Sequence, residues 1–301
     1  MRKAATLLEM LFVIIIISFL ATGSFKAMQA ILVREYKAKQ LTNLSLESQI
    51  VVNQISNYLS QRIVYSTIGY NPNDGSFDYI GNLVNNDTKP VLEWLGRADD
   101  LFMDGKYSGF FDMATKANNN ITSYGADNLT IDNSDNIALV FAGSFDRSQN
   151  GDINASFGWH GSDRNKTFKI STDSGDENIT FDISVAQPKF LYEKYFLVKS
   201  AYAVARGEDI DQNAPCITAL GLQSKDINNT LFLFSNYRPW KGETFCADKQ
   251  GTLEGNVSVL MQNISGFNFS EVDYTIRILL DINKPIRGAH PVHFSKMKVV
   301  F

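Results

Sequence analysis

Glu9 lies inside an otherwise apolar run, Ala4 to Ala21, that follows the basic pair Arg2 and Lys3. A carboxylate within such a run costs about 2.5–3.5 kcal/mol at the centre of a bilayer, so it calls for a partner or a function. The stretch from Met10 to Ala21 alone is too short to cross about 30 Å of hydrocarbon. Counted from Ala4 through Ala30 the run is long enough, at about 1.5 Å per residue. An ordinary cleaved secretory signal fits poorly, because Glu9 interrupts the apolar core. No A-x-A site follows either: Thr22 to Ala27 continues into Met28, Ala30, Ile31, Leu32 and Val33.

Beyond this run no proline occurs before Pro72. Leu41, Leu44, Ile50, Val51, Ile55, Tyr58 and Leu59 recur at three- and four-residue steps, which predicts a continuing helix. One helix from Ala5 to about Gln61 would be about 80 Å long, far more than an isolated globular helix. Residues 5–30 are expected to span a membrane and the second half to pack on a domain.

From Gly69 the composition turns to clusters of Gly, Asn, Asp and Ser between short aromatic and β-branched runs. Strands are predicted at Ile137–Phe141, Phe168–Ile170, Ile179–Ile183, Leu231–Phe234, Val257–Met261, Phe267–Phe269, Tyr274–Leu280 and Lys298–Phe301. No repeat of fixed period and no βαβ alternation is visible, which disfavours doubly wound folds. The expected fold class is therefore α+β: a long N-terminal helix packed on an antiparallel β-rich domain covering residues 62–301.

The string from Lys3 to Ile17, KAATLLEMLFVIIII, resembles the class III prepilin signal: a basic leader, a small residue, a cleavage point, then Thr, two aliphatics, Glu and a hydrophobic run. The family with that signal comprises the type IV pilins and the pseudopilins of type II secretion. Two departures stand in the string, since the family usually has Gly where Ala4 stands and often Phe where Ala5 stands. The resemblance implies that residues 1–4 are a leader, that a prepilin peptidase cuts between Ala4 and Ala5, and that Ala5 becomes an N-methylated first residue. It further implies that Glu9 meets the free N-terminal amine of a neighbouring subunit, which would offset the desolvation of both groups.

The partners implied are other pilins or pseudopilins, the prepilin peptidase and an inner-membrane assembly platform. The location implied is a bacterial inner membrane, crossed once, with the C-terminal domain periplasmic or extracellular. Arg2 and Lys3 on the cytoplasmic side agree with the positive-inside bias. Val257–Phe269 and Tyr274–Leu280 resemble the closing strands of large minor pseudopilins of the J or W type, although alternating apolar strands are common elsewhere.

Composition bounds the remaining readings. The 301 residues are 44% hydrophobic and carry a formal charge of −4, with no long basic run, so nucleic-acid binding has no support. Cys216 and Cys246 fit one disulfide in an oxidising compartment, worth roughly 3–4 kcal/mol on the chain-entropy account; two buried thiols are the alternative. The histidines are His160, His290 and His293, and no H-E-x-x-H, G-x-S-x-G, Walker or G-x-G-x-x-G motif accompanies them. No catalytic constellation follows, and a non-enzyme is expected.

Asp146, Ser148, Asn150 and Asp152 place oxygens as in an EF-type loop with Gly151 at the turn. Phe157 stands where the bidentate Glu belongs, so calcium is a weak candidate and a plain Asx/Gly turn the simpler reading. No other cofactor is indicated. Asn154, Asn165, Asn178, Asn228 and Asn256 begin N-x-S/T sequons with Asp or Glu two residues earlier, the extended form that bacterial N-glycosylation uses. An alternative function is a membrane-anchored adhesin or substrate-binding module on the same anchor. Its candidate contact surface is the aromatic segment Phe232–Trp240, which core packing explains equally well. A third reading is a single-pass membrane protein with an uncut leader.

Overall fold

The computed structural model describes residues 7–83, 86, 88–129, 136–142, 157–172, 176–184, 188, 191–286 and 289–301. One helix, α1 (Leu7–Ser60), accounts for 54 residues without a break. Among the described residues it is the helix long and apolar enough to cross a membrane, and its apolar window is 0% buried. Two hydroxyl side chains in its apolar half bond back to the helix: Ser18 Oγ donates to Ile14 O and Thr22 Oγ1 to Ser18 O, each at 2.8 Å.

Every residue from Glu9 to Lys39 is exposed, whereas Leu44, Ser48, Val51, Val52, Ile55 and Leu59 are buried. Those six repeat at three or four residues and form one stripe. Leu41 and Ile50, read from the sequence as part of the stripe, project outward instead, 44% and 66% exposed. Ile50 falls on the opposite side of the helix from Val52 and Leu59, so the count of apolar residues overstated the docked face.

After α1 the chain builds an antiparallel domain. Its strands are β1 (Ile68–Tyr70), β2 (Phe77–Tyr79), β3 (Val91–Arg97), β4 (Asn120–Thr122), β5 (Ala138–Phe141), β6 (Phe168–Thr172), β7 (Asn178–Phe181), β8 (Tyr195–Arg206), β9 (Leu231–Tyr237), β10 (Glu243–Phe245), β11 (Thr252–Glu254), β12 (Asn256–Met261), β13 (Ile264–Val272), β14 (Thr275–Ile286) and β15 (Ala289–Val300). Short helices α2 (Asp99–Met103), α3 (Pro215–Thr218) and α4 (Ser224–Ile227) fill connections. The strands expected at 137–141, 168–170, 179–183, 231–234, 257–261, 267–269, 274–280 and 298–301 each coincide with one of these.

The main sheet is branched at β8. One edge of β8 pairs with β3 from Val198 to Val204, and β3 leads outward to β1 and β2. The other edge is divided: Tyr195–Val198 pair with β5, which leads to β6, β7 and β4, and Ala201–Arg206 pair with β9, which leads to β12. A separate sheet runs β13-β14-β15, and β10 pairs in parallel with β11.

Three cores follow from strand alternation. Leu92 and Trp94 of β3, with Leu231 and Leu233 of β9, point to the side where the second half of α1 lies with Phe267, Phe269, Ile278 and Leu280 of the three-stranded sheet. Val91 and Leu95, with Phe232 and Phe234, point to the other side, among Phe157, Trp159, Trp240 and Phe245. Ala201, Ala203 and Ala205 of β8 supply small side chains on that aromatic-rich side. A third core gathers Phe141, Phe168 and Phe181, whose ring centroids lie 5.7–6.1 Å apart, with Leu139, Ile170, Ile179 and Leu197.

The helix is seated by a close approach. The Tyr202 ring lies over Gly96, where a Cβ would fall 2.4 Å from Tyr202 Cε2. From there the ring packs on Trp94 at 5.8 Å and on Tyr58 of α1 at 5.0 Å. At the end of α1, Ile63 N donates to Leu95 O and Arg97 N donates to Gln61 O, both at 2.8 Å, so the chain passes from helix into the edge of β3. The Arg62 guanidinium, 5% exposed as a residue, donates to Leu59 O at 2.8 Å and Tyr274 O at 2.7 Å. It thereby ties the helix end to the β13–β14 hairpin.

Candidate functional site

The residues singled out in the sequence fall in different places. Glu9 is in the first turn of α1, exposed among apolar side chains and at the end where the helix dipole favours an anion. Ala4 and Ala5 lie outside the described residues, as do Asp146, Ser148, Asn150 and Asp152 of the calcium candidate and the sequon residue Asn154. Asn165, Asn228 and Asn256 are exposed. Asn178 opens β7, and its amide is engaged: Thr122 Oγ1 donates to Asn178 Oδ1 at 2.9 Å and Asn178 Nδ2 donates to Asp176 Oδ1 at 2.7 Å.

Cys216 and Cys246 form a disulfide with Cα atoms 6.3 Å apart, linking α3 to the segment after β10. His290 and His293 lie on β15, and among the described residues no group of three or more His, Cys, Asp or Glu side chains is placed to hold a metal ion.

The aromatic segment Phe232–Trp240 is not a surface. Phe232, Phe234, Tyr237 and Trp240 are each 0% exposed and form the middle of the aromatic-rich core. Strand β9 is buried on both faces, which is why its apolar residues run consecutively instead of alternating.

A polar cluster that the sequence did not disclose sits in that same core. Glu93 is the centre of the run Val91-Leu92-Glu93-Trp94-Leu95 and faces the aromatic side of β3. His160 Nε2 lies 3.3 Å from Glu93 Oε2, and His160 Nδ1 lies 3.5 Å from Asp248 Oδ2. The imidazole stacks on Tyr70 with ring centroids 3.5 Å apart and planes 7° apart, and Tyr70 Oη donates to Asp248 Oδ1 at 2.8 Å.

The loop that presents His160 is held in an unusual backbone conformation. His160 has φ +45°, a left-handed value that costs a non-glycine residue energy, and Gly158 before it has φ +87°. A Cβ on Gly158 would lie 2.7 Å from Pro239 O, so glycine is required there on two counts. Trp159 Nε1 donates to Ser66 O at 3.0 Å and fixes the turn against the chain that follows α1.

Burial alone would lower the His160 pKa. The charge of Glu93 and the hydrogen bonds and charges of Asp248 and Glu93 outweigh it, and the group is raised to about 9. Burial pushes the Glu93 carboxyl up, with the His160 charge opposing. Burial and then the Asp248 charge push Tyr70 far up, and burial and then Glu93 do the same to Tyr237, so both phenols stay neutral. The result is an imidazolium held between two buried acidic side chains. The His160 side chain is 7% exposed and the two acids 0%, which makes the cluster an internal ionic tie with no opening for a substrate. A lone acid in the middle of an apolar strand was its one sequence signal, the same kind of signal that Glu9 gives in the helix.

A cavity of about 500 Å³ opens at the far end of α1, lined by Gln61, Arg97, Phe102, Phe110, Lys194 and Phe196 among others. No protein-family model matches this chain, and searches of curated proteins and of solved structures return no significant match.

Proposed function

We propose that this protein is a minor pilin or pseudopilin, a structural subunit of a type IV pilus, a secretion pseudopilus or a DNA-uptake pilus. The observation that carries this reading is the division of α1: an exposed apolar first half beginning at Glu9 and a second half docked in the domain, on one unbroken helix. A free apolar surface about 25 Å long, from Glu9 to Phe25, is unstable in water and needs lipid or other helices around it. The prepilin-like string at Lys3–Ile17 supplies the machinery: leader removal after Ala4, methylation of Ala5, and pairing of Glu9 with a neighbouring amine during assembly. The disulfide Cys216–Cys246 is consistent with a domain outside the cytoplasm.

The test is intact mass and N-terminal sequencing of protein recovered from the membranes of its own host. N-methylated Ala5 at the N-terminus is the expected result. An intact Met1, or a cut after Ala21 or beyond, would overturn the reading and leave an anchored or secreted protein of another class.

A further inference from the structure

The cavity at the end of α1 is built from three pieces of chain. Gln61 follows the helix, Arg97 closes β3 and runs into α2 with Phe102, and Phe110 pairs with Lys194 across an isolated bridge at the start of β8. Tyr195 N donates to Gly109 O at 2.8 Å, and Phe111 N donates to Glu193 O at 3.0 Å, so the two walls are hydrogen-bonded together. Its volume of about 500 Å³ lies within the range of small-ligand sites, about 300–1,000 Å³.

The lining combines aromatic faces with cations. Arg97 sits 5.6 Å from the Phe196 centroid, and Lys194 Nζ sits 5.4 Å from the same ring and 5.9 Å from Phe110. Arg97 Nη2 pairs with Asp99 Oδ2 at 3.1 Å, while Arg97 Nε is buried without a hydrogen-bond partner. Lys194 makes no ion pair among the described residues. Arg97, Lys194 and Asp99 together leave one positive charge over an apolar floor, in a chain whose own formal charge is −4. Phe102 and Phe110 at the mouth remain 49% and 54% exposed, an unusual investment of aromatic surface for a site that only packs.

We infer that this cavity binds an aromatic carboxylate, with the ring between Phe102, Phe110 and Phe196 and the carboxylate at Lys194 and Arg97. The chemistry is shared by a free aromatic acid and by a polypeptide C-terminus ending in an aromatic residue. Binding does not rest on the pilin reading. Only the position of the site, some 80 Å along the helix from its apolar end, does.

The test uses the full chain in lipid nanodiscs, titrated with N-acetyl-L-phenylalanine and with its uncharged amide. The acid is expected to bind at least about tenfold more tightly than the amide, or about 1.4 kcal/mol. Lys194→Gln, at an exposed position, should erase most of that difference. Phe110→Ala should weaken both ligands. Equal binding of acid and amide, or acid binding unaffected by both Lys194→Gln and Arg97→Gln, would overturn the assignment. Comparing Gly-Gly-Phe with 3-phenylpropanoate separates the two sources: a tighter peptide assigns the site to a chain terminus, a tighter free acid to a small molecule, and failure of both refutes it. These outcomes are independent of whether Ala5 is methylated.

Discussion

The two halves of α1 share one backbone and answer to different surroundings. From Glu9 to Lys39 every residue of the helix is exposed, and between Met10 and Phe25 it carries no charge; from Leu44 to Leu59 it is apolar on one stripe and largely polar elsewhere. The first pattern is what a helix shows when its environment is uniform, and the second what it shows when one side faces a protein core and the other water. Helix propensity alone does not distinguish the halves. The distribution of side chains around the axis does, and it places an exposed apolar segment and a docking surface on one continuous element.

The comparison can be broken by substituting the same residue type in both halves. Ile55→Ala is expected to lower the stability of the domain by about 2–5 kcal/mol, since Ile55 is 0% exposed in the helix-facing core. Ile16→Ala should change the same unfolding transition by less than about 0.5 kcal/mol. Denaturant titration of the full chain in nanodiscs, followed by tryptophan fluorescence, reads both. Equal losses would mean that the first half is also packed on the domain.

A second measurement asks how much of the domain is held by covalent closure compared with helix docking. Replacing Cys216 and Cys246 together by Ser opens a loop with a sequence separation of 30 and is expected to cost roughly 3–4 kcal/mol, read by the same titration. The transition should respond to a reductant in the native chain and not in the double variant.

The ionic tie supplies a pH handle that only the domain possesses. His160 has a folded pKa of about 9, above the unfolded value near 6.5, so the folded state binds the extra proton across that window. Its contribution is therefore fully present below about pH 6.5 and lost as pH rises through about 9. Glu93, also raised, acts with the same sign, its contribution fading as pH rises through its folded pKa. The denaturation midpoint is expected to fall between pH 6.5 and pH 9.5, by an amount on the order of 3 kcal/mol from His160. His160→Gln should flatten that slope, and an unchanged slope would show that the imidazole does not carry the charge.

On the proposed pilin reading, the smallest effect on stability and the largest on assembly belong together at Glu9. Glu9→Ala is expected to leave domain unfolding within about 0.5 kcal/mol of the native value while impairing incorporation into filaments, measured by shearing and immunodetection. Normal incorporation would refute the pairing role.

Much of the fold could be read because period and environment agree. The second half of α1, β13 and β14 show the helical or alternating pattern of elements with one buried face, and the residue runs betray them directly, whereas β15 was legible only at its last residues. β8 was not legible, although it is the strand that joins both arms of the main sheet. Its sequence, YFLVKSAYAVAR, is buried on both faces and holds three alanines, so it offers neither alternation nor strong strand preference. The cluster of Tyr70, Glu93, His160, Tyr237 and Asp248 was hidden for another reason. Its members are up to 178 residues apart and meet only after three segments have folded against one another. Glu9, by contrast, was legible because its anomaly is local.

The junction between α1 and the sheet also decides how the molecule would bear a pull. Tension applied along the helix is shared between the docked stripe Leu44–Leu59, the paired backbone bonds to β3 at Leu95 and Arg97, and Arg62, which reaches the β13–β14 hairpin. Two sheets are thus loaded from one helix. The disulfide lies outside that path, on the far side of the main sheet from the helix, so reduction would soften the domain against heat or denaturant while leaving the mechanical connection between helix and domain to the docked apolar stripe, the backbone hydrogen bonds and one buried guanidinium.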